Sequence, residues 1–181
     1  MRLEEIDLTH QKLLYNIFSR FKNKKIIDIG SGGGGGASVE ILRNLNIRPD
    51  GIDILNFNVS NKIYNKYFVE DLYNFDQYPA YDIAILCDIT YIFECDPIEM
   101  VIGLFEVLTR CCDKVYLFVP FFDRGSKDYT FRSSATSPLK TIVRPMYVEN
   151  VLTHFPMFEK LLIKSPTDIH AGYGIYESRT V

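Results

Sequence analysis

Neither sign of charge is in excess in this 181-residue chain: 20 Lys and Arg stand against 23 Asp and Glu, a net −3. The basic footprint of a nucleic-acid binder is missing, and so is an acidic tail. No apolar run approaches the roughly 18 residues of a membrane-spanning helix. The N-terminus, Met1 to Gln11, alternates charged and apolar side chains, unlike a secretory leader, so the expected compartment is the cytoplasm. Cysteine is scarce. Cys87, Cys95, Cys111 and Cys112 form no C-x-x-C pair, and an adjacent Cys-Cys is not half of a zinc site. They read as buried thiols, and a structural disulfide would be out of place in a reducing compartment.

Apolar residues are plentiful, at 47% of the chain. A single domain of this length buries about 70% of the surface its unfolded chain exposes, so a self-sufficient core is expected and general disorder is excluded. Leu13, Leu14, Ile17, Phe18 and Phe21 share one helical face and predict a leading helix within residues 4–22. The run Lys25-Ile26-Ile27-Asp28-Ile29 predicts a buried strand. Val39, Ile41, Leu42 and Leu45 suit a helix packed on a sheet. Further strands are expected at 50–54, 66–69, 81–87 and 114–120. Asp96-Pro97-Ile98-Glu99 predicts a helix start, with Asp96 as N-cap, Pro97 as first helical residue and Glu99 as the reciprocal cap. Residues 121–146 are rich in Ser, Thr and Pro and read as a long functional connection. A short helix is expected over 146–155, then an antiparallel pair of strands at 158–164 and 174–177. Strands alternating with helices imply an α/β fold: one Rossmann-like domain over 1–181, a mostly parallel seven-stranded sheet with an antiparallel last strand and helices on both faces. Ligands in such sheets sit at the carboxyl ends of the strands.

Glycine is concentrated there. Six of the eleven glycines lie in Gly30-Ser31-Gly32-Gly33-Gly34-Gly35-Gly36. Glycine admits positive φ and leaves room for a ligand against the main chain, and a following helix offers its N–H groups to that ligand. Gly30, Gly32 and Gly35 satisfy G-x-G-x-x-G, while Gly30, Gly32 and Gly34 satisfy G-x-G-x-G, so the glycines alone do not decide between dinucleotide and other cofactors. Asp53, about 20 residues on near the end of the second strand, is placed to accept bonds from ribose hydroxyls. Asp28 favours a ligand with a cationic amino group or sulfonium over one bearing a pyrophosphate.

The chain here resembles the class I S-adenosylmethionine-dependent methyltransferases. Ile26-Ile27-Asp28-Ile29-Gly30-Ser31-Gly32-Gly33-Gly34 is similar to the family's first motif, and Gly51-Ile52-Asp53 to its second-strand acidic motif. Val69-Glu70-Asp71-Leu72 resembles the segment bordering the adenine. Tyr81-Asp82 and the strand running to Cys87-Asp88 resemble the fourth strand with its aromatic-Asp pair. Asp96-Pro97 through Leu108, then Val115 to Pro120, resemble the next helix and strand, and Arg144 through Glu149 to Phe158 is similar to a late segment. The resemblance covers roughly residues 25–165. It implies S-adenosyl-L-methionine as cofactor, with Asp28, Gly30, Ser31, Gly32 and Gly34 toward the methionine end and Asp53 on the ribose. Asp71 would lie at the adenine amino group with Leu72 packed beside it, and Ile54 and Cys87 would complete the cofactor contacts. No metal is implied. Ile92 and Phe93 stand where many small-molecule members carry a histidine, and the D/N-P-P-Y/F signature of enzymes that methylate nucleic-acid amino groups is absent.

The expected activity is methyl transfer to an oxygen or nitrogen of a small-molecule acceptor, a sugar or secondary metabolite by analogy, without nucleic-acid or membrane partners. Asp88 is the first candidate for acceptor contact or base and Asp123 the second. The segment 121–146 is expected as the acceptor lid. Tyr91, Phe93, Phe121 and Phe122 could wall an apolar pocket, and Tyr129 and His170 could reach the site from loops. His154 reads as a surface residue, His10 as solvated, and Lys22, Lys24 and Lys25 as a solvated edge at the far end of the first strand. Two other readings remain open. A small NAD(P)-dependent oxidoreductase lacks support from Asp28 and from any convincing Tyr-x-x-x-Lys pair. An inactive or partner-dependent adenosyl-ligand-binding subunit would show a large exposed apolar patch.

Overall fold

The computed structural model describes residues 8–32, 37–56, 63–87, 97–121, 131–132, 140–141, 152–156, 158–164 and 172–178. Helix α1 (Leu8–Ser19) leads into strand β1 (Ile26–Ile29), helix α2 (Ala37–Asn44) and strands β2 (Asp50–Asp53) and β3 (Tyr67–Val69). A 3-10 turn (Tyr78–Ala80) precedes strand β4 (Ile83–Cys87), helix α3 (Ile98–Cys111) and strand β5 (Lys114–Phe121). The chain closes with strands β6 (Phe131–Arg132), β7 (Lys140–Thr141), β8 (Phe158–Lys164) and β9 (Gly172–Ser178). Seven strands form one sheet in the order β3-β2-β1-β4-β5-β9-β8, while β6 and β7 form a separate antiparallel ribbon. Strands β1 to β5 are mutually parallel, and β9 runs antiparallel to both β5 and β8. The expected doubly wound sheet with a reversed last strand is therefore present.

The apolar runs of the central strands divide between two cores. Ile26, Ile83, Ile85, Tyr116, Phe118 and Ile175 face α1 and α2, with Leu14, Phe18, Ile41 and Leu42 against them. Ile27, Ile29, Ala84, Leu86, Val115, Leu117 and Tyr176 face the other side, where Val101, Leu104, Phe105 and Leu108 of α3 cover them. Side chains alternate across a strand, so a strand buried on both faces needs apolar residues at nearly every position. Helix α2 ends in a Schellman cap: Asn46 takes φ 58°, and Ile47 N–H reaches back to Leu42 O at 2.8 Å.

Several local expectations shift. Helix α3 begins at Ile98 rather than Pro97. Pro97 is the N-cap residue, with ψ 133°, no side chain caps the helix, and its carbonyl accepts from Met100 N–H at 2.9 Å. The fixed proline φ serves an extended residue as well as a helical one, so the boundary moves by one position. Asp96 lies outside the described residues. The segment 121–146 is not wholly irregular: β5 extends to Phe121, and 131–132 pairs with 140–141. Two-residue strands are too short for periodicity to reveal them. The helix expected over 146–155 falls mostly outside the described residues, with a turn at 152–154 and a buried Phe155 at its end. Among the cysteines, Cys112 is buried, and burial followed by Cys111 and Asp113 pushes its thiol up to about 12. It is a core thiol, as the composition implies; Cys95 lies outside the described residues.

Two glycines give opposite expected outcomes. A Cβ on Gly51 would lie 2.9 Å from the ring of Tyr64 and 3.0 Å from that of Tyr67. Gly51→Ala should therefore destabilise the protein by about 1–3 kcal/mol. Gly103, inside α3, would place its Cβ in open space, so Gly103→Ala should stabilise by about 0.5–1 kcal/mol through helix propensity. Denaturant unfolding of the two variants checks both signs.

Candidate functional site

Because β1 to β4 are parallel, Ile29, Asp53, Val69 and Cys87 end at one edge of the sheet. The chain leaving β1 turns there through two left-handed glycines, Gly30 at φ 65° and Gly32 at φ 52°. Residues with a Cβ rarely adopt those angles, so two of the glycines are explained by backbone geometry. The turn bends over the neighbouring strand. Gly30 N–H and Ser31 N–H both donate to Ile52 O, at 2.9 and 3.1 Å. Gly32 N–H donates to Asp53 Oδ2 at 2.9 Å, and Leu55 N–H donates to Asp53 Oδ1 at 3.0 Å. Asp53 is 6% exposed. Its carboxylate thus clamps the glycine turn to the end of β2.

Asp28 is 3% exposed. It pairs in register with Ile85 of β4 and Gly51 of β2, which places it on the α1/α2 side of the sheet. Its Oδ2 accepts the hydroxyl of Tyr64 at 2.7 Å. Tyr64 is itself buried, its ring lying over Gly51 beside the ring of Tyr67 at a centroid distance of 5.6 Å. Burial, and then the Asp28 carboxylate, push the Tyr64 pKa far above its ordinary value, so the phenol stays protonated and donates. Tyr67 donates to Leu55 O at 3.2 Å, and burial raises its pKa too. Two buried acids therefore flank one glycine turn, and the donors just named to them are all neutral. A field of that sign favours a cationic ligand end and opposes a pyrophosphate.

Beyond the turn the edge becomes apolar. Ile54, Leu55 and Val69 are 61%, 54% and 48% exposed, unusual for large aliphatic side chains. Ile54 is thus exposed at the edge where β2 ends. Asp71 is committed to its own turn, accepting Tyr73 N–H at 3.0 Å and Asn74 Nδ2 at 3.1 Å. Leu72 is 4% exposed and belongs to the core with Phe75 and Tyr78. The side chain expected to pack on adenine is thus buried in that core, on the inward side of the turn after β3. Cys87, half-buried at the end of β4, packs against the α1/α2 core. Ser31 is buried, its hydroxyl 3.3 Å from Ile52 O. Gly34, Asp88, Tyr91, Phe93, Asp123, Tyr129 and His170 lie outside the described residues.

The Tyr81-Asp82 pair sits at the opposite edge. Asp82 Oδ2 accepts Lys25 N–H at 2.8 Å, and Tyr81 donates to Asp50 Oδ2 at 2.8 Å. These contacts join the amino ends of β1, β2 and β4. Lys24 makes an exposed ion pair with Asp113 at 3.3 Å, consistent with a solvated edge. His154 is exposed. No helix among the described residues is long and apolar enough to cross a membrane.

No family model matches this sequence, and no curated protein matches it closely. Solved structures do share its fold. The glycopeptide N-methyltransferase MtfA, complexed with S-adenosyl-L-methionine, superposes at a TM-score of 0.61 and 10% identity over 92% of this chain and 86% of that one. An S-adenosylmethionine-dependent methyltransferase from Clostridium acetobutylicum gives 0.59 at 8% identity over 96% and 93%. The N-terminal domain of EvdMO1, with S-adenosylhomocysteine bound, gives 0.56 at 12% identity over 97% and 83%.

Two contributors escaped the sequence reading. Tyr64 lies between expected elements, and Tyr67 is read only as part of the strand expected at 66–69. A signal was nevertheless present in Gly51, since an isolated glycine inside a strand marks a close approach by other atoms. Asp53→Ala would leave the Gly32 and Leu55 N–H groups without their acceptor. It should lower the unfolding free energy by about 1–3 kcal/mol, measured by denaturant titration of the ligand-free protein. The fold found here is that of solved S-adenosylmethionine-dependent methyltransferases, among them structures holding S-adenosylmethionine or S-adenosylhomocysteine.

Proposed function

We propose that this chain is a methyltransferase that uses S-adenosyl-L-methionine to methylate an oxygen or nitrogen of a small molecule. The observation that carries the reading is the pair of buried carboxylates, Asp28 and Asp53, flanking the left-handed Gly30–Gly32 turn. The residues present suit the cofactor's parts. The turn and Asp28 would take the methionine end, and lone pairs on Asp53 beyond those used by Gly32 and Leu55 would take the ribose hydroxyls. Exposed Ile54 and Val69 would flank the adenine, with Asp71 at its rim. When bound, the cofactor supplies a methyl group already activated by the sulfonium. Orientation then provides much of the catalysis, worth up to roughly 7–11 kcal/mol in well-aligned systems.

A base is needed only for a protonated acceptor atom and would contribute about 10²–10⁴-fold. Asp88 follows β4 directly in sequence and Asp123 lies two residues past β5, so both are assigned to the acceptor side. Residues 121–146 are assigned as the acceptor lid of a single domain spanning 1–181. A small-molecule acceptor agrees with neighbours named for a glycopeptide substrate or crystallised in the presence of D-fucose.

Calorimetric titration with S-adenosylmethionine, S-adenosylhomocysteine and NAD(H) in parallel tests the reading. The two sulfur ligands should bind at micromolar concentration and NAD(H) should not. Binding of NAD(H) alone would overturn it in favour of an oxidoreductase. Ile54→Asp should weaken both sulfur ligands at least about tenfold, because a charge replaces an apolar adenine contact. Its unfolding midpoint should stay unchanged, since the side chain is 61% exposed.

A further inference from the structure

Tyr64 is bound to the site by geometry that packing alone does not require. Its ring fits over Gly51, where any Cβ would come within 2.9 Å. That places its hydroxyl 2.7 Å from Asp28 Oδ2 and 3.4 Å from the carbonyl oxygen of Ser31, inside the glycine turn. Both Tyr64 and Asp28 are nearly inaccessible, at 2% and 3% exposure. An aromatic ring at this position could fill the same space as phenylalanine. The hydroxyl adds a charge-assisted hydrogen bond, stronger and more directional than a neutral one.

We propose that Tyr64 is a positioning residue: its hydroxyl holds the Asp28 carboxylate in the orientation that receives the cationic amino group of a bound adenosyl amino acid. The inference rests on the cofactor reading above and deepens it. A carboxylate at the end of a short side chain rotates about a broad, roughly two-fold torsion. Fixing one oxygen on a buried phenol removes that freedom before the ligand arrives, and preorganisation of this kind raises affinity without a new ligand contact. Glycine at 51, on the strand next to Asp28, is what admits the ring. The three residues thus act as one unit built across β1, β2 and the chain entering β3.

The test compares two probes. S-Adenosylhomocysteine carries the amino acid portion, whereas 5′-methylthioadenosine has the same adenosine and thioether without it. Tyr64→Phe should weaken S-adenosylhomocysteine about tenfold, the scale of one hydrogen bond to a charged group. It should leave 5′-methylthioadenosine within about twofold, as expected if the adenosine contacts are untouched. Asp28→Asn should show the same selectivity, and adding Tyr64→Phe to Asp28→Asn should weaken S-adenosylhomocysteine no further, because the two changes act through one bond. Equal losses for both probes, no loss for either, or additive effects in the double variant would each overturn the proposal. Binding of neither probe by the unaltered protein would overturn the cofactor reading itself, and this inference with it. Thermal unfolding shows whether Tyr64→Phe folds. Should it not, 3-fluorotyrosine placed at position 64 alone keeps the ring and changes hydrogen-bond strength. A shift in affinity for S-adenosylhomocysteine alone then supports the proposal, and no shift overturns it.

Discussion

Everything at the site end of the sheet depends on where the chain goes after β1, and the Asp53 carboxylate decides that. A glycine-rich turn left to itself has more conformational freedom to lose than any other stretch of chain. Here Gly32 N–H is held by one Asp53 oxygen and Leu55 N–H by the other, while Gly30 and Ser31 lean on Ile52 O. One short side chain therefore sets the direction in which the turn leaves β1 and the direction in which the chain leaves β2. The acid proposed for the ribose hydroxyls is thus also the clamp of the turn.

The sheet uses its carboxylates differently at its two edges. At the amino edge, Asp50 and Asp82 are spent on chain joints: Tyr81 and Asn65 on the first, Lys25 N–H on the second. At the carboxyl edge, Asp28 and Asp53 flank the left-handed glycine turn and bond only neutral donors among those named. Parallel topology makes this division possible, because the carboxyl ends of β1 to β4 lie on one side. The two cores beneath them come from alternating residues of the same strands. The short elements at the site edge are thus seated on strands packed from both faces.

Much of this was legible in order along the chain. The run 26–29, the apolar stretches within 81–87 and 114–120, and the helical spacing of Val101, Phe105 and Leu108 carry their own periodicity, and each lies in the element it implied. Asp28 and the paired glycines were also readable, since they occupy short fixed distances around the end of β1, and Asp53 because it closes the next strand. Leu72 illustrates the opposite case. It is buried with Phe75 and Tyr78, while Asp71 beside it accepts Tyr73 N–H and Asn74 Nδ2, and a turn of a few residues decides which side chain points inward. Pro97 is similar: one fixed torsion suits both sides of a helix boundary.

What the sequence determined by itself was the alternation of strands and helices, the strand end at which the glycines and the two acids gather, and the sign of charge there. Local propensity and hydrophobic period reach that far because they act over a few residues. Only the tertiary structure decided who partners those charges. Tyr64 lies 36 residues from Asp28 and finds it because β1 and β2 are register neighbours and Gly51 leaves room for a ring. No periodicity encodes such a contact; it exists only once two strands lie side by side and an absent side chain becomes a space.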